Sequence, residues 1–119
     1  MPIGLFDTVS RGLTQALSFH AQRHEVLAAN IANVETPGYR ARDIEFADAL
    51  ADAFGAEDVP GASVRSLDRP SGTGRPDGNT VDIDMEMARL AENRGRFTTY
   101  AEILARRLAA LRRAIDGGS

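Results

Sequence analysis

His20 and His24 stand four residues apart, a spacing that puts two imidazoles on one face of a helix, where they could share a metal ion. Glu25 follows them directly, so the order does not make the His-Glu-x-x-His zinc motif, and no third ligand is suggested by spacing. The pair therefore reads as polar residues at a helix contact. Asp82-x-Asp84-x-Glu86 has the opening of a calcium loop, but Met87 stands where the loop glycine belongs and Asn93 at the twelfth position. These carboxylates read as the acidic start of a helix. Gly72-x-Gly74 lies in a Pro/Gly-rich stretch with no strand before it and no helix after it, which argues against a phosphate loop. Ser, His and Asp occur, yet nothing arranges them as a nucleophile elbow. The sequence is read as that of a protein that is not an enzyme and needs no metal or other cofactor.

Composition narrows the classes further. The 119 residues allow at most one domain. The net charge of −3 gives no electrostatic case for nucleic acid, and no small-molecule substrate is indicated. All 14 basic residues are arginine. Arg106, Arg107, Arg112 and Arg113 read as a solvated or inter-subunit face, which the acidic run Asp43, Glu45, Asp48, Asp52, Glu57 and Asp58 could pair with. There is no cysteine, hence no disulfide or thiolate site. The N-terminus lacks the basic start and apolar run of a secretory signal, and no stretch reaches the ~20 apolar residues of a membrane span.

The elements that carry these residues are two long helices. From about Phe6 to Val34 the apolar seam is Phe6, Val9, Leu13, Ala16, His20, His24, Leu27, Ile31 and Val34, a heptad pattern with one stutter at the histidines. From Ile83 to Ile115 the seam is Ile83, Met87, Leu90, Arg94, Phe97, Ala101, Leu104, Leu108, Leu111 and Ile115, alternating four and three. Gly117-Gly118 stops this helix. The expected fold is mainly α, with the two terminal helices paired as an antiparallel coiled coil around an irregular, partly disordered middle. The chain divides into residues 1–39, helix and turn; 40–54, an extended segment and a short amphipathic helix; 55–79, a flexible linker; and 80–119, the last helix. The linker holds five glycines and three prolines with scattered apolar residues, too few to offset its ordering entropy. A lone hairpin of two helices, each ~45 Å long, has little core, so much of the burial is expected from neighbouring copies.

The most distinctive stretch is Leu27 to Tyr39. Ala28, Ala29 and Ala32 let another backbone approach closely. Asn30 and Asn33 are poor helix formers placed three apart at a helix end. Thr36-Pro37-Gly38-Tyr39 is a type II turn signature, with proline fixing φ and glycine supplying a positive φ.

Ala29-Asn30-Ile31-Ala32-Asn33 followed by Thr36-Pro37-Gly38-Tyr39 resembles the N-terminal signature of the bacterial flagellar rod and hook proteins, with Glu35 a mild departure. The continuation Ala41-Arg42-Asp43-Ile44-x-Phe46 and the approach Gly78-Asn79-Thr80-Val81-Asp82-Ile83-Asp84 look like the proximal-rod branch of that family. The resemblance implies a structural subunit of the periplasmic flagellar rod. Such a subunit is exported by the flagellar type III apparatus without a cleavable signal, self-assembles through its terminal helices and transmits torque. Implied partners are copies of itself, other rod subunits and the adaptor to the membrane ring. Implied assembly residues are Leu27, Asn30, Ile31, Asn33, Thr36, Pro37, Gly38 and Tyr39 at the turn, and Phe97, Leu104, Leu108 and Leu111 on the last helix. A cytoplasmic coiled-coil adaptor or export chaperone is the alternative from another class.

Overall fold

The structure, a computed structural model, describes residues 3–45 and 65–117, with side chains in the first helix described from Asp7 onward. In chain order the elements are α1 (Ile3–Ala32), β1 (Arg42–Glu45), β2 (Arg65–Asp68) and α2 (Ile83–Gly117). The two helices lie antiparallel: Asn30 meets Glu86, and ten residues earlier His20 meets Asn93. The molecule measures 68 × 25 × 15 Å, and its radius of gyration of 18.3 Å far exceeds the ~13–14 Å of a compact chain this long. A body one helix thick has no interior between layers. Its core is the seam itself, with Ala16, Phe19 and Ile44 at the centre and Val26 and Tyr100 packed beside them.

α2 starts where Asp82 caps it. The Asp82 carboxylate accepts the backbone N–H of Asp84 at 3.0 Å and of Met85 at 3.2 Å, while its carbonyl takes the Glu86 N–H at 2.9 Å. α1 runs three residues further toward the N-terminus than its apolar seam suggested and stops at Ala32. There the Asn33 side chain bonds back to the Ala29 carbonyl at 2.8 Å.

The packed seams differ from the apolar ones read in the sequence. On α1 the packed line is Leu13, Ala16, His20, half-buried Arg23, Leu27 and Asn30, an unbroken alternation of three and four. His24 faces outward and Ile31 is half-buried, so the stutter at the histidines does not exist. Arg23 and Asn30 occupy the seam instead, each satisfied by polar partners that a purely apolar reading discounts. On α2 the buried residues are Glu86 and Asn93, in line with half-buried Leu90, Tyr100, Leu104 and Leu111. Ile83, Met87, Arg94, Leu108 and Ile115, the other edge of the expected seam, are exposed.

The described part of the middle segment holds more regular structure than its composition suggests. Residues 65–79, taken as part of a flexible linker, form β2 and a series of turns. β2 pairs antiparallel with β1, Arg42 opposite Asp68 and Glu45 opposite Arg65. Apolar content undercounted this segment because it is held by ion pairs and side-chain amides. In β1, Ile44 is buried as expected of an alternating strand, but so is Asp43 beside it. The expected short amphipathic helix over 46–54 lies outside the described residues, as do Phe46, Asp48, Asp52, Glu57 and Asp58.

Candidate functional site

The end of α1, the turn after it and the approach to α2 form one polar elbow. Thr36 to Tyr39 is a closed turn, its Tyr39 N–H donating to the Thr36 carbonyl at 3.2 Å. Gly38 sits at φ 75°, the left-handed value that the third position of a type II turn requires. The Gly38 N–H donates to the Asp77 carbonyl at 2.8 Å, and the Thr80 N–H to the Tyr39 carbonyl at 3.0 Å, so the two loops run against each other.

Asn79 ties them from the side. Fully buried, its amide nitrogen reaches the carbonyls of Asn33 at 3.0 Å, Val34 at 3.2 Å and Thr36 at 2.8 Å, in the turn that follows α1. Its carbonyl oxygen accepts the Val81 N–H at 2.8 Å. Arg75 adds a guanidinium bond to the Val34 carbonyl. The turn that follows α1 is thus held by residues more than forty positions later in the chain.

Asn30 does the same for the start of β1. Its amide donates to the Arg42 carbonyl at 2.8 Å and to the Glu86 carboxylate at 2.9 Å. Its oxygen accepts the Arg42 N–H at 3.0 Å and the Tyr39 hydroxyl at 3.2 Å. Both protons and both lone pairs are used, the full capacity of an asparagine side chain. Glu86, fully buried, is also paired with Arg89 at 3.2 Å one turn on. One residue thereby joins α1, the turn, β1 and α2.

The third cluster centres on Asp43. Arg23 of α1 grips it with two nitrogens at 2.9 and 3.1 Å, and Arg69 reaches it at 2.5 Å from beyond β2. Burial works to raise this carboxyl. The bonds from Arg23, the Ile44 N–H and Arg69 outweigh burial and hold it below its ordinary value. Further along the pair, His20 Nδ1 lies 2.6 Å from Asn93 Oδ1. None of these groups is arranged around a reacting centre. What they do chemically is fix the angle, register and hand of the helix pair.

The residues expected to mediate assembly fall into two sets. Leu27 and Asn30 are fully buried inside the chain, and Tyr39 is half-buried against Asn30. Thr36, Pro37 and Gly38 lie exposed at the tip, with Ile31 and Asn33 half-buried nearby. On α2, Leu104 and Leu111 are half-buried while Phe97 and Leu108 are 39% and 53% exposed. With Ile83, Met87 and Ile115 they make an apolar edge that nothing in the chain covers among the described residues. His20 is buried and His24 exposed, and the described residues contain no group of three metal-ligating side chains. The arginines at 106–113 do not meet Asp43 or Glu45, which are engaged by Arg23, Arg69 and Arg65.

Sequence reading missed Arg23, Asp43, Arg69, Asn79, Glu86 and Asn93. A usable signal was present for two of them: Glu86 and Asn93 are seven apart and alternate with Leu90 and Phe97, a heptad whose polar positions set register.

Comparison with known proteins gives a consistent result. Residues 12–40 match a family model described as flagella basal body rod protein. The flagellar basal body rod protein FlgB of Salmonella typhimurium is 34% identical over 137 residues, covering 95% of this chain and 96% of that protein. FlgB of Cereibacter sphaeroides is 39% identical over 115 residues, covering 87% and 90%. FlgB of Escherichia coli is 32% identical over 137 residues, covering 95% and 96%.

Proposed function

This chain belongs to the flagellar basal body rod proteins, as a FlgB-type structural subunit of the proximal rod, and we propose that it assembles there through its paired terminal helices to transmit torque. The observation that carries the reading is the end-to-end similarity to FlgB proteins, and the shape of the molecule agrees with it. A hairpin 15 Å thick that leaves Met87, Phe97, Leu108 and Ile115 in water gains its remaining apolar burial by packing against other subunits. In this reading the exposed tip Thr36-Pro37-Gly38 and the α2 edge with Phe97, Leu104, Leu108 and Leu111 contact neighbours, while Leu27, Asn30, Asn33 and Tyr39 hold the angle at which those surfaces are presented.

Torque transmission suits this division. A subunit held by many repeated interfaces resists shear only if its own helix pair cannot slide, and the buried polar pairs oppose sliding because any change of register strands them. The partners we assign are copies of this chain, other rod subunits, the adaptor to the membrane ring and, before assembly, the flagellar type III export apparatus. The location we assign is the periplasmic part of the basal body, reached without a cleavable signal.

Fractionation tests the assignment. In a strain lacking the chromosomal gene, a plasmid copy should restore swimming, and the protein should co-purify with detergent-resistant basal bodies. Recovery only as a soluble cytoplasmic complex of fixed stoichiometry would replace the rod reading with that of an adaptor or export chaperone.

A further inference from the structure

His20 lies midway along the helix pair in a site that suits a neutral imidazole and not a charged one. Its residue is 7% exposed. Its ring stacks on Tyr100 at 5.6 Å and meets Phe19 edge-on at 5.0 Å between centroids. The Asn93 amide nitrogen donates to the His20 backbone carbonyl at 2.7 Å, which leaves Asn93 Oδ1 to accept from the imidazole at 2.6 Å. Nδ1 therefore carries the proton, and Nε2 is the nitrogen that titrates. The ring lines a groove of about 340 Å³ between the helices, with Ala21, His24, Glu25, Arg94 and Phe97, so a proton can arrive from solvent.

We propose that the His20–Asn93 pair is an acid-sensitive latch, holding α1 against α2 while the imidazole is neutral and loosening the hairpin once Nε2 takes up a proton. The bond to Asn93 survives protonation, because Nδ1 donates in both states. The cost is that of a cation in this setting. Burial opposes it most, and Arg23 from the same helix and Arg96 from the facing one oppose it too, while the Asn93 bond favours it. The other charged groups offer little relief. Glu25 and Arg94 stand exposed on the groove rim, Glu92 is paired with Arg96, and Asp43 of β1 is engaged by Arg23 and Arg69. His24 on the rim is exposed. The net effect holds His20 below its ordinary 6.5. Stability linked to a histidine kept neutral on folding is complete above the unfolded value and is lost as pH falls from there toward the folded value.

This concerns the chain's own hairpin and does not depend on rod assembly. The test is urea unfolding of the full chain followed by circular dichroism between pH 5.5 and 7.5, with histidine ring protons followed by NMR. In the wild type the ratio of folded to unfolded chain should fall below pH 6.5, by up to about tenfold per pH unit until the folded midpoint is passed. His20→Phe keeps a ring against Tyr100 and should flatten the profile, whereas His24→Gln should keep it. If His20→Phe does not fold, the wild-type NMR titration decides alone, with a His20 midpoint below 6.5 expected. A flat wild-type profile, a midpoint at or above 6.5, or equal flattening by the two variants would overturn the latch.

Discussion

Asn79 is the residue on which the elbow can be tested most sharply. Truncation to alanine removes an amide with two protons shared among the carbonyls of Asn33, Val34 and Thr36. Each of those carbonyls keeps another donor: the Thr36 N–H, the Arg75 guanidinium and the Tyr39 N–H, respectively. Their loss is therefore the net value of about two hydrogen bonds, each ~0.5–1.5 kcal/mol. The Val81 N–H, in a residue 5% exposed, loses its acceptor altogether, which costs ~1–3 kcal/mol. The sum is about 2–6 kcal/mol, a large share of the ~5–15 kcal/mol typical of a folded domain. With a urea slope of ~2 kcal/mol/M, the midpoint should fall by roughly 1–3 M. Asn79→Asp separates the donor from the acceptor role. It preserves shape and the oxygen facing Val81, but sets a carboxylate oxygen against carbonyl oxygens, so at neutral pH it should be at least as damaging as alanine. The assay is urea unfolding of the full chain by circular dichroism. An aspartate variant within ~0.5 kcal/mol of the wild type would refute the claim that this amide donates into the turn after α1.

Other perturbations probe the remaining parts. A Cβ added at Gly38 meets nothing within 4 Å, so Gly38→Ala should cost only the ~1–2 kcal/mol of a left-handed backbone. Gly38→Val should cost more and block rod assembly while export continues, and normal swimming by that variant would count against the elbow. Because the Asp43 carboxyl is held below its ordinary 3.8, its contribution is complete above that pH and is lost as pH falls through the lower folded value. Asp43→Asn should therefore be less stable at neutral pH and lose less on acidification, as acid titration by circular dichroism would show. Leu108, 53% exposed, should tolerate Leu108→Ser with a change in monomer stability within ~0.5 kcal/mol. The same substitution should reduce recovery in purified basal bodies.

The two long helices and the turn after the first were legible from local chemistry. Heptad spacing needs only the chain's own residues to announce a long packed helix, Asp82 announces its own cap, and Pro37-Gly38 specifies a backbone bend that little else could form. The exposed α2 edge was legible too, though it was read as the internal seam. An apolar stripe tells that a face is to be buried but not against what.

Tertiary structure decided which face turns inward. Burying Arg23, Asn30, Glu86 or Asn93 alone would be costly, so polarity by itself did not place them in the seam. They become interior only as sets whose members come from segments far apart: Arg23 with Asp43 and Arg69, Asn30 with Arg42 and Glu86, His20 with Asn93. The same holds for the segment around Asn79, whose glycines and prolines suggested slack chain. Its order comes from carbonyls in the turn after α1, more than forty residues away. Sequence periodicity records what each residue avoids, whereas polar burial depends on what each one meets, and that pairing exists only once the chain is folded.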